Sequence, residues 1–452
     1  CFAVKSEELK SALASLKKEF RKEIKSGQVH IDINLNQSVL AVVGDGMRGI
    51  PGIAGRLFSV IGNNSVNITA IAQGGSERNI SFTIDSKNKI KALNIVHNEF
   101  FNNGQKNIFL IGTGNIGGEL LDQIQNLAKF HSVNLKVCGI INAFHMLMDE
   151  KGINLGGWRR KLEKGEEPNL EKWLSLAKSL PLDNKILVDC TASESVAKKY
   201  LEIAGAGFNI VTPNKKFNTF SMKEYRRLRE VMAQKKKKFL YETNVGAALP
   251  VISTLQDLLK TGDKITKIEG IFSGTLSYIF SALGGSASGG NSFSEVVAEA
   301  KKLGYTEPDP REDLGGQDVG RKLLVLAREI GLDMEFKNVE IENLVPKALQ
   351  RVKAPEEFLK KLPKYDNQFK KILEKAKSKN KVLRYVAKLE RGKASASLQE
   401  VSMDNPLATT KDADNIFAFY TKRYNKRPLV VQGPGAGREV TAGGVLADIL
   451  RI

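Results

Sequence analysis

Cysteine is scarce in this chain of 452 residues, which has only three, Cys1, Cys138 and Cys190. An odd count at such wide spacing is typical neither of a disulfide framework nor of a zinc site. Long hydrophobic runs are also missing, because no apolar stretch reaches the ~20 residues that a membrane helix needs. We therefore expect reduced cysteines, a cytoplasmic location and no membrane partner.

Acidic residues are in the minority, since 69 Lys and Arg stand against 50 Asp and Glu and give a formal net charge of +19. A strongly basic chain can indicate nucleic-acid binding. Here the lysines are scattered among acids on predicted helices and lack the interleaved aromatic residues that stack on bases. The densest run, Lys235 to Lys238, falls at a predicted helix end, where cations stabilise the helix dipole. We expect no nucleic-acid partner.

The first hundred residues predict one small α+β unit and part of another. The chain begins at Cys1 without a methionine or a visible targeting segment, which we interpret as a piece of a longer polypeptide. Residues 39–104 show a β-α-β-β-α pattern. Residues 1–38 predict a short strand at 2–4 and an amphipathic helix at 6–24 with Ser6 as N-cap, like the second half of a similar unit.

The remaining chain predicts an α/β domain followed by a mixed one. Residues 105–243 alternate short apolar strands with helices, which is typical of a parallel sheet; the strands are expected at 107–111, 134–141, 186–190, 208–212 and 238–242. Residues 244–404 are expected to form an α+β domain with helices at 246–260 and 318–330 and a hairpin at 382–401. Composition makes 284–290 a flexible loop, and residues 405–452 are expected to return to the α/β domain.

A glycine-rich turn follows the first of these strands. The apolar residues 107–111 lead into G-x-G-x-x-G, formed by Gly112, Gly114 and Gly117, before a predicted helix. The first glycine permits the tight turn, the second lets backbone N–H groups approach a phosphate, and the third lets the helix pack closely. The helix N-terminus then faces a pyrophosphate. The motif predicts a Rossmann-type dinucleotide site, with a purely structural turn as the alternative.

The choice between NAD and NADP depends on the end of the second strand. An acid there would bind the 2′-hydroxyl of NAD, and a nearby arginine would favour NADP. The sequence has Asn142 at this place, and no arginine follows it directly. Both cofactors therefore stay open, with NADP slightly favoured.

Charged residues on a later helix suggest proton transfer. Asp318 and Lys322 are four residues apart and share a helix face. A lysine kept charged by a carboxylate can polarise an aldehyde oxygen and protonate the alkoxide. Four acids precede the pair, and they repel one another unless a cation such as a substrate ammonium lies among them: Glu307, Asp309, Glu312 and Asp313. An ordinary surface pair and a capped helix start are the alternatives.

Polar residues also follow other predicted strands. Thr191 and Lys215 come at the carboxyl ends of two neighbouring strands, where ligands bind in open α/β sheets. The small-residue turn at 243–250 can present several carbonyl oxygens beside Glu242. Such oxygens are the ligands that a hard monovalent cation prefers.

Taken together, these motifs resemble homoserine dehydrogenases, in the form that is fused behind aspartate kinase. The resemblance covers essentially the whole chain and rests on IGTGNIG (111–117), VDCT (188–191), TPNKK (212–216), TNVGA (243–247), FSGTLSYIF (272–280), GYTEPDPR (304–311) and GAG (435–437). Residues 39–104 resemble an amino-acid-sensing ACT domain. The expected fold is α/β: a Rossmann-type parallel sheet domain plus an α+β substrate and dimerisation domain, preceded by an ACT-like α+β regulatory domain.

The resemblance implies reversible reduction of L-aspartate 4-semialdehyde to L-homoserine with NADP or NAD, in threonine and methionine biosynthesis. It implies Lys322 as the proton donor and Lys215 as a second catalytic lysine between nicotinamide and substrate. The implied substrate-binding residues are Glu307, Asp313, Asp318 and Thr275. The implied cofactor-binding residues are Gly112, Thr113, Gly114, Asn115, Ile116, Gly117, Asn142, Thr191, Lys215 and Gly437.

The resemblance further implies a sodium site, an effector and an oligomer. The sodium ligands would be Glu242 and the carbonyls of Val245, Ala247 and Leu249, although Ala248 stands where a glycine is usual. Threonine would be the effector, with Gln73 in its site, and a homodimer or higher homo-oligomer is implied. Because residues 1–38 represent only half of an ACT unit, both retention and loss of threonine binding stay open. The sequence has no KFGGT-type kinase strand, so we expect no kinase activity.

Two other functions stay open at this point. One is an amino-acid-binding regulatory module whose dehydrogenase fold no longer turns over, and the other is an ACT-linked dehydrogenase for a different acid, such as malate or prephenate. The dehydrogenase hypothesis requires Glu307 and Lys322 to converge on one pocket that faces the 112–117 loop.

Overall fold

The computed structural model describes residues 2–101, 104–130, 134–284 and 291–452. The chain divides into two compact units, Cys1–Gln105 and Lys106–Ile452. The loop predicted at 284–290 falls, except for Gly284, outside the described residues. None of the helices in the described ranges is long and apolar enough to cross a membrane.

The first unit has the predicted β-α-β-β-α order. Its elements are α1 (Leu9–Glu19), α2 (Arg21–Lys25), β1 (Gln37–Val43), α3 (Ile53–Asn63), β2 (Ala70–Gln73), β3 (Asn79–Asp85) and α4 (Lys89–Phe101). The antiparallel sheet has the order β1-β3-β2. Apolar residues on one sheet face, such as Phe82 and Ile84, pack with Leu57 and Ile61 of α3 to form the core.

Three predictions for residues 1–38 were wrong. Residues 2–4 form no strand, because among the described residues no other strand pairs with them and an isolated strand is not stable. The predicted helix at 6–24 is interrupted at Phe20, whose ψ of 27° leaves the α-helical region. The N-cap of its first turn is Lys5 rather than Ser6.

The first half of the second unit is a mainly parallel sheet covered by helices. Its elements are β4 (Lys106–Ile111), α5 (Asn115–Phe130), β5 (Leu135–Ile141), β6 (Met146–Met148), α6 (Trp158–Glu163), α7 (Leu170–Ser179), β7 (Lys185–Asp189), α8 (Glu194–Ala197), α9 (Tyr200–Gly205), β8 (Asn209–Val211), α10 (Met222–Gln234) and β9 (Phe239–Leu240). The strand order is β6-β5-β4-β7-β8-β9, and only β6 runs antiparallel to its neighbour. Alternate residues of β4 are buried on opposite faces, as a doubly covered parallel sheet requires: Phe109 lies in one core and Ile108 in the other.

The second half of this unit is built on a second six-stranded sheet. Its elements are α11 (Val251–Lys260), β10 (Ile265–Ile271), α12 (Gly274–Gly284), α13 (Phe293–Lys302), α14 (Pro310–Leu314), α15 (Gln317–Glu329), β11 (Val339–Ile341), α16 (Pro355–Lys361), α17 (Asp366–Ser378), β12 (Lys381–Glu390), β13 (Lys393–Ser402), β14 (Asp414–Thr421), β15 (Leu429–Pro434) and α18 (Arg438–Arg451). The strand order is β11-β13-β12-β10-β14-β15. The predicted hairpin is present as β12 and β13.

Two expectations for this half need correction. The helix predicted at 246–260 begins only at Val251, because Gly246 (φ +80°) and Ala247 (φ +52°) adopt left-handed backbone conformations that a right-handed helix cannot contain. The return to the α/β domain does not begin at residue 405. Strands β14 and β15 pair within the second sheet, and only α18 crosses back to pack against α5.

Candidate active site

The glycine-rich loop between β4 and α5 places its three glycines in different surroundings. Gly112 has φ +89°, and a Cβ there would lie 2.8 Å from Cγ2 of Thr191. A Cβ on Gly117 would lie 1.9 Å from the carbonyl oxygen of Gly112. A Cβ on Gly114 would have no described atom within 4 Å. Packing therefore requires the first and third glycines, and the second leaves open space beside the backbone.

Asn142 lies at the end of β5 and contacts this loop. Its Nδ2 donates to the Thr113 hydroxyl at 2.9 Å, and its Oδ1 accepts the backbone N–H groups of Phe144 and His145, both at 2.8 Å. The side chain at the predicted selectivity position thus fixes the turn after β5 and the orientation of Thr113.

A buried network at the end of β7 was missed by the sequence analysis. Asp189 is fully buried, and its Oδ1 accepts hydrogen bonds from the backbone and hydroxyl of Thr191 at 2.8 and 2.6 Å. Its Oδ2 accepts from the Tyr200 hydroxyl at 2.5 Å and from Asn214 Nδ2 at 3.0 Å. Burial raises the pKa of Asp189, against the effect of these hydrogen bonds. The network holds Thr191 and the segment that carries Lys215 at one sheet edge.

Two lysines meet around Asp318. The Nζ of Lys322 lies 2.9 Å from Oδ2 of Asp318, and the Nζ of Lys215 lies 3.5 Å from Oδ1. Lys322 is buried and also donates to the carbonyl oxygen of Phe272 at 2.7 Å. Partial burial would raise the pKa of Asp318, but the charges of Lys322 and then Lys215 outweigh it and hold that pKa well below its usual range. Asp318 therefore stays ionised and forms ion pairs with both lysines.

Lys215 and Lys322 line a cavity of about 400 Å³. Two helices, α5 and α18, begin at this cavity, so the positive ends of two helix dipoles face it. Arg438 adds a third cation, and none of the described lining residues is acidic. The cavity is thus suited to an anionic ligand. The lining residues come from five segments of the chain: Asn115, Ile116, Pro213, Lys215, Thr243, Gly246, Ala247, Lys322, Gly435, Ala436, Gly437, Arg438 and Thr441.

Thr243 lines this cavity, but its hydroxyl is buried. Its residue is buried, and its hydroxyl has no hydrogen-bond partner among the described residues. Its methyl group packs against Gly444 of α18. A Cβ on Gly444 would lie only 2.6 Å from Cγ2 of Thr243, so the absence of a side chain at Gly444 makes room for this methyl group. An unpaired buried hydroxyl costs ~1–3 kcal/mol. Thr243 belongs to the TNVGA motif, but no role was predicted for it from the sequence.

The acidic turn before α14 is organised by Asp313. Its Oδ2 accepts the backbone N–H of Glu307 at 2.8 Å, and its Oδ1 lies 2.9 Å from the Thr275 hydroxyl. Burial raises the pKa of Asp313 to about 6, against these hydrogen bonds. The side chain of Glu307 is exposed and does not line the cavity. The expected convergence is thus found for Lys322 and the loop, whereas Glu307 stays outside the cavity lining.

For one of the four acids the alternative of a capped helix start is correct. Asp309 is the N-cap of α14, and its Oδ1 accepts the backbone N–H of Arg311 at 3.1 Å. The Arg311 guanidinium also pairs with this carboxylate at 2.6 Å. Asp309 is therefore neutralised within the chain.

The predicted sodium site does not fit the arrangement around Glu242. This buried carboxylate accepts the backbone N–H groups of Ile252 at 2.6 Å and Ser253 at 3.0 Å, at the start of α11. Its Oε2 also accepts a hydrogen bond from Nη1 of Arg451 at 3.2 Å. Arg451 thus already pairs with the carboxylate that was expected to bind the ion, and the same nitrogen also pairs with the buried Asp448 at 3.0 Å.

One of the proposed carbonyl ligands is engaged within the chain. The carbonyl oxygen of Leu249 accepts the backbone N–H of Val251 at 2.8 Å, and Val245 and Ala247 lie on the same turn.

Gln73 lies in the first unit, at the end of β2. It is exposed and pairs across the sheet with Ile80. Its predicted role in effector binding stays a prediction.

Family comparisons agree with this geometry. Residues 112–242 match the NAD-binding domain of homoserine dehydrogenase, residues 250–450 match homoserine dehydrogenase, and residues 40–100 match an ACT domain. The homoserine dehydrogenase of Schizosaccharomyces pombe is 40% identical over 357 residues, which cover 76% of this chain and 95% of that relative. The chain belongs to the homoserine dehydrogenase family. The members of this family are oxidoreductases that act on CH–OH groups, so the predicted enzyme class is confirmed and an inactive regulatory module is not favoured.

Some relatives of this chain are longer, and their names include a second activity. The bifunctional aspartokinase/homoserine dehydrogenases of Haemophilus influenzae and Arabidopsis thaliana are 45% and 44% identical to it. All of this chain aligns with them, but it covers only 55% and 50% of their lengths. The chain thus spans about half the length of these relatives. The Arabidopsis protein is named chloroplastic, so a cytoplasmic location stays a prediction.

Solved structures of homoserine dehydrogenases share the fold of this chain. A hyperthermophilic archaeal homoserine dehydrogenase in complex with NADPH aligns with a TM-score of 0.59 at 23% identity, covering 77% of this chain and 97% of the other. The predicted Rossmann-type domain and the preceding ACT domain are thereby confirmed as fold classes.

Proposed function

We propose that this chain catalyses the reversible reduction of L-aspartate 4-semialdehyde to L-homoserine with NADPH or NADH. One observation carries the proposal: Lys215 and Lys322 share Asp318 at the wall of the cavity where α5 begins. The family supplies the reaction class, and the paired lysines supply the proton and the positive charge that reduction of an aldehyde needs.

The residues of the cavity fit a dinucleotide. The first and third glycines of the loop are required by packing, and the open side of Gly114 leaves room for a ligand. We propose that Thr113, Asn115, Ile116 and the N–H groups at the start of α5 hold the pyrophosphate. Thr191, Lys215 and Gly437 would lie nearer the nicotinamide. When bound, the cofactor supplies or accepts the hydride.

Lys322 is the proposed general acid. Its hydrogen bond to the Phe272 carbonyl and its ion pair with Asp318 fix the direction of the ammonium group. In the reduction this group donates a proton to the aldehyde oxygen as it becomes an alkoxide, and in the oxidation the neutral amine takes the proton back. Lys215, on the other oxygen of Asp318, adds positive charge beside the developing negative charge.

The acidic turn is the proposed site for the amino-acid end of the substrate. The carboxylate of Glu307 is exposed, while its backbone N–H is fixed by Asp313. Thr275 and Asp313 hold the turn to the start of α12. We propose that Glu307 binds the substrate ammonium and that Asp313, Asp318 and Thr275 shape the pocket around it.

A substrate panel tests the proposed reaction. The purified chain should reduce NADP or NAD with homoserine and not with malate or prephenate, followed by absorbance of the reduced nicotinamide. If the chain turns over malate or prephenate instead, it is an ACT-linked dehydrogenase for a different acid. Stabilisation by amino acids without any effect of NADP(H) would indicate a regulatory module.

Removal of sodium is expected to have little effect. Because Arg451 already pairs with the buried Glu242 carboxylate, replacing NaCl by choline chloride at equal ionic strength should change turnover by less than ~2-fold. The variant Arg451→Met leaves this carboxylate without its partner, and its melting temperature should fall. If turnover of the unsubstituted chain instead requires sodium, the assignment of Arg451 is wrong.

The remaining parts of the proposal concern assembly and regulation. We propose a homodimer or higher homo-oligomer, a place in threonine and methionine biosynthesis, and threonine as an effector that contacts Gln73. The family resemblance supports these statements, as does the exposed position of Gln73. Light scattering measures the oligomer, and a thermal-shift titration with threonine, with Gln73→Ala as control, tests the effector.

A further inference from the structure

An arginine on α15 holds the segment that carries Lys215. The side chain of Arg328 is 0% exposed and lies on the same helix as Lys322. Its Nη1 donates to the carbonyl oxygen of Asn218 at 2.9 Å and to that of Phe220 at 2.8 Å. These two carbonyls belong to the chain immediately after Lys215, so one guanidinium ties both lysine-bearing segments together.

Two further contacts fix the orientation of this guanidinium. Its Nε donates to the carbonyl oxygen of Met334 at 3.0 Å, and its Nη2 pairs with Oε2 of Glu335 at 3.1 Å. The other oxygen of Glu335 accepts the backbone N–H of Met222 at 2.8 Å, at the start of α10. All three nitrogens of Arg328 are therefore engaged, and two of them reach the 218–222 region directly or through Glu335.

The opposite side of the Lys215 segment is anchored on the parallel sheet. Asn214 donates to the buried Asp189 carboxylate at 3.0 Å and to the Ser193 carbonyl at 2.9 Å. Lys215 thus lies between an anchor on the nucleotide-binding sheet and an anchor on α15. Both anchors flank the segment whose Lys215 Nζ lies 3.5 Å from Oδ1 of Asp318.

We propose that Arg328 is a positioning residue, which sets the approach of Lys215 to Asp318 and Lys322 and thereby the rate of the chemical step. The inference rests on the proposed dehydrogenase function. A lysine cannot replace Arg328, because its single nitrogen lacks the planar fork that reaches separate carbonyls. Small displacements matter here, since a ~1 Å error in placing a reacting group can cost ~100-fold in rate.

The chain offers a matched control for loss of a buried arginine. Arg384 on β12 is also buried, and its guanidinium is likewise engaged by carbonyl oxygens. These belong to segments that carry neither lysine: Phe280, Leu383, Leu407, Ala408 and Thr410. Arg384→Met should therefore lower the melting temperature while the kcat for homoserine stays within ~2-fold, since distant sites act independently.

A double-mutant cycle tests the proposal. Arg328→Met should lower kcat by ~10-fold or more, with the KM for homoserine and the Kd for NADPH, measured by fluorescence titration, within ~3-fold of the unsubstituted values. In a Lys215→Ala background the same change should cost less than ~3-fold, because the residue through which it acts is gone. Arg328→Lys keeps the charge and should show the same kcat loss with a smaller fall in melting temperature. If Arg328→Met does not fold, Arg328→Lys replaces it in the cycle.

Two results would overturn the inference: a wild-type kcat for a folded Arg328→Lys, or losses that are fully additive with Lys215→Ala. Failure of the proposed function would be recognised separately, because the unsubstituted chain would then not oxidise homoserine at all.

Discussion

Lys322→Ala is expected to lose at least ~100-fold in homoserine turnover, as removal of a general acid should. The reason is geometric: this buried ammonium is directed by the Phe272 carbonyl and by Asp318, and it lines the cavity that we assign to the cofactor and substrate. The Kd for NADPH should change much less, because we propose that the phosphates bind at the start of α5. Steady-state kinetics and a fluorescence titration measure the two effects separately.

A neighbouring cation provides the control for this change. Arg321 precedes Lys322 on α15, but its guanidinium lies over the Phe336 ring at 5.5 Å and not in the cavity. Arg321→Ala should keep turnover within ~2-fold, as is usual for surface substitutions. Unchanged turnover of Lys322→Ala would remove this lysine from the mechanism.

Gly117→Ala should nearly abolish NADPH binding and destabilise the fold. The new methyl group would lie 1.9 Å from the Gly112 carbonyl oxygen and 3.2 Å from Cβ of Cys190, so the loop and α5 must move apart. We expect a loss of ~2 kcal/mol or more in the free energy of unfolding, at the upper part of the range for overpacked sites. The affinity for NADPH should fall by ~100-fold, because the helix N-terminus no longer faces the pyrophosphate. Thermal denaturation and fluorescence titration measure both.

Substitutions at two other glycines distinguish effects on folding from effects on NADPH binding. Gly443→Ala on α18 has its nearest atom at 3.8 Å and should leave both quantities unchanged or slightly raise stability. Gly114→Ala meets no described atom within 4 Å, so it should fold normally and weaken NADPH binding alone. Wild-type affinity in Gly117→Ala would show that the cofactor does not use this loop.

Short sequence patterns correctly predicted those features that depend on residues close together in the chain. The apolar run of β4, the glycine spacing after it and the four-residue spacing of Asp318 and Lys322 each follow from backbone geometry, and each is present in the structure. The secondary-structure prediction was wrong where the backbone adopts left-handed conformations. Ala247, with φ +52°, delays the start of α11, and it lies in the small-residue turn predicted at 243–250, which overlapped the predicted helix.

Long-range partners explain the other differences. Glu242 appeared free for an ion because the sequence does not reveal that Arg451, more than two hundred positions later, comes to lie 3.2 Å away. In the same way, the sequence does not reveal that the side chains of Tyr200 and Asn214 come to bind Asp189. Nor does it reveal that the backbone carbonyls of residues 218 and 220 come to bind Arg328. Glu307 was placed in the correct turn, but only coordinates show that Asp313 takes its backbone and leaves its side chain exposed.

The cavity combines Asn115 with Thr441, which are far apart in the chain. During translation, the glycine-rich loop leaves the ribosome long before α18 exists. A nascent polypeptide that lacks α18 has an unfinished wall where Gly437 and Arg438 should be, and α5 has one face without its partner helix. The dinucleotide should therefore act late in biogenesis, stabilising only polypeptides that have been synthesised through α18.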